Sequence, residues 1–403
     1  MPPSALVIDD DVDIQLLGKM LLSRHGFDVA TAGCLGELAR KPALLNTNLI
    51  VLDFGLGDFT GLDILDYLYD LKMNAPILLL SSCSDETAAH AIAEGKSKGL
   101  KMLGFLPKAK LMTGLSAFIE QIESSPKPPS VGELAQAIKQ QHICLALQPK
   151  VSLATGAVVG AEALVRWEDP TRGTIYPDNF IPLAERSGLM VPLTWCILEL
   201  SFAQLAAWHA RGLPLSIAIN VPAEFIKAEK MLSMFDTLCS QYPIDMTNVT
   251  LELTESVGVE CLGYARHVLD ELRKRGCKLA LDDFGTGYSS LTQLYRLPFD
   301  ELKIDRSFVS LIDSEPSAQA ITLSIVELGA RLGMSVVAEG IESAEQQALL
   351  AKAHCPIGQG YFISRPLSSV QFDGWLDHQM TIAKRAYSTP TILLAKYFQR
   401  YPE

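Results

Sequence analysis

Between residues 143 and 363 the chain repeats one pattern eight times, a short apolar run usually followed by a longer amphipathic stretch. The runs fall at 143–147, 157–165, 215–219, 249–253, 278–281, 301–304, 335–338 and 360–363, and segments such as 183–210, 262–275 and 317–332 read as helices between them. Eight such runs in roughly 250 residues predict a closed (β/α)8 barrel. Several runs end in polar groups: Asn220, Asp282–Asp283, Asp305 and Glu339. The carboxyl ends of barrel strands are where such enzymes carry their chemistry.

A shorter version of the rhythm precedes the barrel. Ala5–Ile8, Leu49–Leu52 and Ile77–Leu80 read as buried strands, and Ile14–Arg24, Leu62–Lys72 and Asp85–Glu94 as helices. This alternation predicts a doubly wound, parallel α/β sheet. The stretch Ser124-Ser125-Pro126-Lys127-Pro128-Pro129-Ser130 cannot continue a helix or a central strand and reads as a linker. The expected plan is a first domain over 1–123, a linker over 124–131, a barrel over 132–380 and a tail over 381–403, in which Ile392–Phe398 has the pattern of a short amphipathic helix.

Composition excludes several function classes. With 34 basic and 46 acidic residues among 403, the net charge is -12, a poor basis for holding nucleic acid by its phosphates. The amino terminus has no basic segment of a signal peptide, and three acids follow the first apolar run. The most membrane-like stretch, Gly188–Trp208, is interrupted by Pro192, Glu199 and Gln204, and reads as a buried helix rather than a span. The eight cysteines form no CxxC pair and are expected to be reduced and mostly buried. Together these features predict a soluble, cytoplasmic protein.

Four strand ends of the first domain carry matched chemistry. Asp9-Asp10-Asp11 follows the first strand, Asp53 ends Leu49–Leu52, Ser81 ends Ile77–Leu80, and Lys108 follows Leu103–Leu106. Such groups gather in one crevice of an open α/β sheet. Carboxylates brought together there call for a divalent cation, and an all-oxygen set favours Mg2+ or Mn2+. Lys108 and the Ser81 hydroxyl can then hold phosphoryl oxygens on Asp53. With Gly61 eight residues beyond Asp53, the segment 4–122 resembles the receiver domain of two-component response regulators, a five-stranded flavodoxin-like fold. The resemblance implies that Asp9, Asp10 and Asp53 bind one Mg2+, that a sensor histidine kinase phosphorylates Asp53, and that Ser81, Phe105 and Lys108 form the switch. Ala109 and Gly57 stand where that family usually has proline, and Lys96–Lys101 is longer than its common pattern.

The barrel region offers Glu162, Asn220, Glu252, Asp282, Asp283, Lys303, Asp305, Glu339 and Gln359, mostly flanked by apolar residues. A buried acid without a partner is costly, so several converging acids require cations. The set has no His or Cys and suits Mg2+ or Mn2+ better than Zn2+. Two such ions are the usual apparatus of phosphodiester hydrolysis, and Lys303 can orient or deprotonate the attacking water or stabilise the transition state. The glycine-rich loop Asp282–Ser290 begins with two of these acids.

Taken in order, Glu162-Ala163-Leu164-Val165-Arg166-Trp167, Asn220, Glu252-Leu253-Thr254-Glu255, the Asp282–Ser290 loop, Lys303-Ile304-Asp305, Ala338-Glu339-Gly340-Ile341-Glu342 and Gln359-Gly360-Tyr361 closely resemble the EAL family of cyclic di-GMP phosphodiesterases over about 133–378. The resemblance implies that Glu162, Asn220, Glu252 and Asp282 hold one metal and Asp283 helps hold a second. It makes Lys303 the general base, has Glu339, Asp305 and Gln359 complete the metal and water shell, and has Glu255 anchor the glycine-rich loop. Arg166 helps bind substrate, and Glu342 joins the shell around it. Pro356 stands near a position where the family often has an acid.

The implied reaction opens cyclic di-GMP to linear pGpG under control of Asp53 phosphorylation, which is expected to raise activity. Partners implied are cyclic di-GMP, a cognate kinase and further copies of the chain in a homo-oligomer, without nucleic acid or a membrane span. The rival readings are a non-catalytic cyclic di-GMP receptor and a regulator acting through protein contacts alone. Retention of every expected ligand and of Lys303 favours the enzyme.

Overall fold

A computed structural model describes residues 2–38, 47–56, 59–70, 73, 75–81, 85–124, 129–254, 262–285 and 290–381. Glu255, Gly57, Thr286–Ser289, much of the linker and the tail beyond residue 381 lie outside the described residues. The chain divides into two compact units, Met1–Lys127 and Pro128–Glu403.

The first unit contains β1 (Ser4–Ile8), α1 (Val12–Arg24), β2 (Asp28–Ala32), β3 (Leu49–Asp53), α2 (Gly61–Asp70), β4 (Ile77–Ser81), α3 (Asp85–Ser97), β5 (Met102–Pro107) and α4 (Leu111–Ser124). The strands form one parallel sheet in the order β2-β1-β3-β4-β5, the flavodoxin-like arrangement. The unbroken apolar runs are explained by burial on both faces. Leu6, Ile8, Ile50, Leu52, Ile77 and Leu79 join one core, while the alternate residues Ala5, Val7, Leu49, Val51, Leu78 and Leu80 join the other. Asp11 starts α1 by accepting a hydrogen bond from the Asp13 backbone N–H at 2.8 Å.

The second unit is a closed eight-stranded barrel. Its elements are α5 (Val131–Lys139), β6 (Ile143–Ser152), β7 (Val158–Asp169), α6 (Pro177–Ser187), α7 (Met190–Ala210), β8 (Ser216–Asn220), α8 (Met231–Gln241), β9 (Val249–Leu253), α9 (Leu262–Lys274), β10 (Lys278–Phe284), α10 (Ser290–Arg296), β11 (Glu301–Ile304), α11 (Pro316–Leu332), β12 (Ser335–Ala338), α12 (Ala344–Lys352) and β13 (Ile357–Gly358). Strands β7 to β13 run parallel in chain order, and β6 closes the ring by pairing with both β13 and β7.

Two of the barrel strands depart from the sequence expectation. First, β6 is antiparallel to both of its neighbours. The connection from β6 to β7 is a tight turn with Gly156 at φ 71°, and so short a connection joins only antiparallel strands. Second, the last barrel strand is Ile357–Gly358, not the apolar run 360–363. At Gly360 the chain presses against the Ile341 backbone, where any Cβ would lie 2.2 Å from its N and O atoms, and the chain turns away.

Helix α7 is long and apolar enough to cross a membrane by composition. Here it packs against β6 and β8 and buries Leu193, Ile197, Leu198, Phe202, Leu205 and Trp208. A helix apolar nearly all round is accounted for by this core position. The expectation of mostly buried cysteines needs correction. Among the described residues Cys277 and Cys355 are buried, Cys144, Cys196 and Cys239 are half-buried, Cys34 is exposed, and all six are free thiols.

Candidate functional site

In the first unit, parallel pairing brings the carboxyl ends of β1, β3 and β5 together. Asp9 and Asp53 are buried and Asp10 is exposed. One oxygen from each of the three lies within 4.8 Å of the others. Lys108 reaches in from the end of β5, its Nζ 2.8 Å from Asp53 Oδ2 and 2.9 Å from Asp9 Oδ2. Burial raises the pKa of the Asp9 carboxyl, and its bond to Lys108 offsets this only in part. Burial alone would lower the pKa of the Lys108 ammonium, but its bonds to Asp53 and Asp9 outweigh that and hold it above the usual lysine value. Ser81 is buried at the end of β4, and Phe105 is half-buried against the core that Leu79 joins. Three carboxylates facing one lysine leave negative charge in excess, which fits a hard divalent cation.

In the barrel, alternation along each strand turns every second residue inward. Glu162 on β7, Glu252 on β9, Asp282 on β10 and Lys303 on β11 are all buried, and Glu339 follows β12. Lys303 is 1% exposed and sits at the centre. Its Nζ lies 2.7 Å from Glu339 Oε1, 2.8 Å from Glu252 Oε2, 2.9 Å from Asp282 Oδ1 and 3.9 Å from Glu162 Oε1. Asn220 donates to Glu162 Oε1 at 2.7 Å, and Gln359 donates to Glu162 Oε2 at 2.6 Å.

These contacts polarise the cluster. Burial would lower the Lys303 pKa, yet the surrounding carboxylates drive it well above normal, which keeps the ammonium charged. Burial would raise Glu252, but Lys150 and Lys303 overcome it and hold the carboxyl at about 2. Glu339 goes the other way, pushed by burial to about 8 against the pull of Lys303, and burial raises Glu162 as well. Three buried carboxyl groups and the half-buried Glu339 are thus shared by too little positive charge. Among the described residues, Gln359 Oε1 is also buried without a hydrogen-bond partner. An orphaned acceptor beside an all-oxygen donor set fits a hard divalent cation.

A cavity of about 240 Å3 opens onto this cluster, lined by Gln148, Glu162, Arg306, Glu339, Glu342 and Tyr361 among others. Not every expected residue joins the Lys303 group. Asp305 is turned to cap the next helical turn, accepting from Ser307 N at 2.9 Å. Asp283 is exposed, at a bulge between Leu281 and Phe284, with φ 53°. Bulges commonly re-aim a side chain beside a site, and here the bulge lets two successive acids differ in burial. Arg166 donates to its neighbour Val165 O and lies over the Tyr176 ring at 5.2 Å, while Glu342 pairs with Arg306 at 3.1 Å.

Sequence reading missed Gln148, Lys150 and Glu301. Gln148 accepts from Gln359 at 3.0 Å, and Lys150 lies 2.7 Å from Glu252. Their signal was spacing by two within apolar strands, 148 with 150 and 301 with 303, which places each pair on one face.

Residues 131–366 match the EAL domain family, and residues 5–109 match the response regulator receiver domain. The chain belongs to the EAL family. It is a response regulator with an N-terminal receiver domain and a C-terminal EAL domain. The cyclic di-GMP phosphodiesterase PA2567 of Pseudomonas aeruginosa is 42% identical over 244 residues, a match covering 60% of this chain and 42% of that protein. The chain therefore spans less than half of that relative's length. The cyclic di-GMP phosphodiesterase RocR of Pseudomonas aeruginosa is 31% identical over 327 residues, covering 78% of this chain and 83% of RocR, so that match takes in both domains. Among solved structures, the PaMucR phosphodiesterase in complex with c-di-GMP aligns with a TM-score of 0.57 at 35% identity, covering 60% of this chain and 98% of that one.

Proposed function

We propose that this response regulator is a cytoplasmic phosphodiesterase that hydrolyses cyclic di-GMP to linear pGpG, controlled by phosphorylation of Asp53 by a sensor histidine kinase. The observation that carries the reading is the buried convergence of Glu162, Glu252, Asp282 and Glu339 on Lys303, beside an open cavity at the carboxyl ends of the barrel strands. The relatives named as cyclic di-GMP phosphodiesterases support the substrate.

Glu162, Asn220, Glu252 and Asp282 would hold a Mg2+ or Mn2+ ion, Asp283 would help hold a second, and Asp305 would complete the metal and water shell. Bound there, the ions would supply charge neutralisation at the phosphate and an activated water. The protein's own groups do the rest. Lys303, charged and fixed by its carboxylates, orients the nucleophile and stabilises negative charge developing on the phosphoryl oxygens. Gln359 and Asn220 each donate to one oxygen of Glu162, fixing its orientation. Glu339, which burial disposes to hold a proton at neutral pH and which lines the cavity, would exchange that proton with water during the reaction.

In the receiver, Asp9, Asp10 and Asp53 would hold one Mg2+, and Lys108, already on Asp53, would pair with a phosphoryl group attached there. The receiver state is expected to bias turnover upward.

The test is chromatography of cyclic di-GMP incubated with the purified protein and Mg2+, with and without a phosphoryl mimic, beside Lys303→Ala. Conversion to pGpG by the wild type and not by the variant supports the reading. Binding without conversion would replace it with a receptor.

A further inference from the structure

Two buried charges lie outside the machinery described above. Lys150, on the reversed strand β6, is 4% exposed, and Glu301, at the start of β11, is 7% exposed. Lys150 Nζ lies 2.7 Å from Glu252 Oε1 and 3.4 Å from Glu301 Oε1. Glu252 is thereby divided, with Oε1 on Lys150 and Oε2 on Lys303 at 2.8 Å. The two lysines occupy different layers. Gln148 of β6 pairs with Glu162 of β7, whereas Lys150 pairs with Gly160, two residues nearer the amino end of β7 and so deeper in the barrel. Lys303 contacts Glu162 and Glu339, which line the cavity, as well as Glu252 and Asp282, while Lys150 reaches Glu252 from the deeper register.

We propose that Lys150 is a positioning residue that reserves one oxygen of Glu252, so that Glu252 offers a divalent cation a single oxygen, Oε2. The inference rests on the metal-dependent reading above. Its chemical consequence is ion choice. Mg2+ demands near-octahedral geometry and binds through few carboxylates, whereas Ca2+ accepts both oxygens of one carboxylate and a higher, more flexible coordination number. A carboxylate with one oxygen already engaged favours the smaller ion. Glu301 serves as the counter-charge that keeps the Lys150 ammonium paired inside the barrel, since an unpaired buried charge is strongly unfavourable.

The experiment is calorimetric titration of the full chain with Mg2+ and, separately, Ca2+. It is run in an Asp53→Asn background so that the receiver's acidic cluster contributes less. Lys150→Met/Glu301→Gln removes both charges and leaves Glu252 paired with Lys303. Lys150→Met and Glu301→Gln are measured alone, and thermal unfolding reports which variants are folded. Loss of a residue that orients a metal ligand is expected to weaken Mg2+ binding about 10-fold or more. Ca2+ binding should fall much less in the Lys150 variants, so the ratio of the two affinities shifts toward Ca2+. Glu301→Gln alone, with Lys150 still on Glu252, should keep the wild-type ratio. An unchanged ratio in the folded Lys150 variants, whether both affinities hold or both fall equally, overturns the proposal and leaves Lys150 a purely structural charge. If the wild type binds neither ion in this background, the metal-dependent reading fails first and the inference falls with it.

Discussion

Replacing Lys303 by methionine removes one charge at nearly constant volume and isolates the electrostatics of the barrel mouth. At an effective dielectric constant of 20, unit charges 2.8 Å apart attract by about 6 kcal/mol. Lys303 lies 2.8–2.9 Å from the carboxylates of Glu252 and Asp282 and 2.7 Å from the Glu339 carboxyl. Much of that attraction offsets the desolvation of a side chain that is 1% exposed. The net loss when one partner of a buried pair is removed is about 3–5 kcal/mol. In EDTA, Lys303→Met should therefore unfold roughly 10 °C below the wild type in a thermal melt followed by circular dichroism. A divalent cation can replace the missing charge. Ligand at 100 times its Kd contributes about 2.7 kcal/mol, so saturating Mg2+ should recover a large part of the deficit in the variant. The wild type should gain less, because there the ion competes with the Lys303 ammonium for the same oxygens. A deficit that Mg2+ leaves untouched, or a variant as stable as the wild type in EDTA, would refute the view that these carboxylates are a charged cluster awaiting a cation.

Acid unfolding tests Glu252. Its folded pKa is about 2, below the ordinary glutamate value of 4.5, so its contribution is present above pH 4.5 and disappears as the pH falls toward 2. That difference corresponds to about 3 kcal/mol in metal-free buffer. Lys150→Met should move the acid midpoint of the barrel upward, as followed by tryptophan fluorescence, and an unmoved midpoint would remove Lys150 as a cause. In the receiver, Asp53→Asn should abolish labelling by a small-molecule phosphodonor, read by intact mass. Labelling that persists would place the acceptor elsewhere.

Much of the architecture was legible because burial leaves a period in the sequence. Runs such as Leu49–Leu52 are apolar at every position because alternate residues enter two different cores. The acids at strand ends stood out against those runs, and the barrel folds Glu162, Glu252 and Asp282 to within contact of Lys303. The direction of β6 was less visible, because an apolar run has the same composition whichever way it points. Only the brevity of the turn at Gly156 carried that information. Lys150 and Glu301 escaped notice because each needs a partner more than a hundred residues away to be tolerable inside. Asp305 shows how one strand-end acid can carry a local task that composition alone does not reveal, since it also caps the helical turn it precedes.

The ring of the barrel is closed by its shortest strand. Ile357 and Gly358 span the gap between β12 and β6 through two register positions on each side. A seam with so few ladder bonds is the expected first point of local opening, and its amides should exchange with solvent ahead of those of β9 or β10. Gln359, the next residue, donates to Glu162. Opening of the seam would thus release one of the two side chains that hold Glu162 and leave its other oxygen on Asn220, so local stability at the edge of the ring is expected to bear on the order of the site.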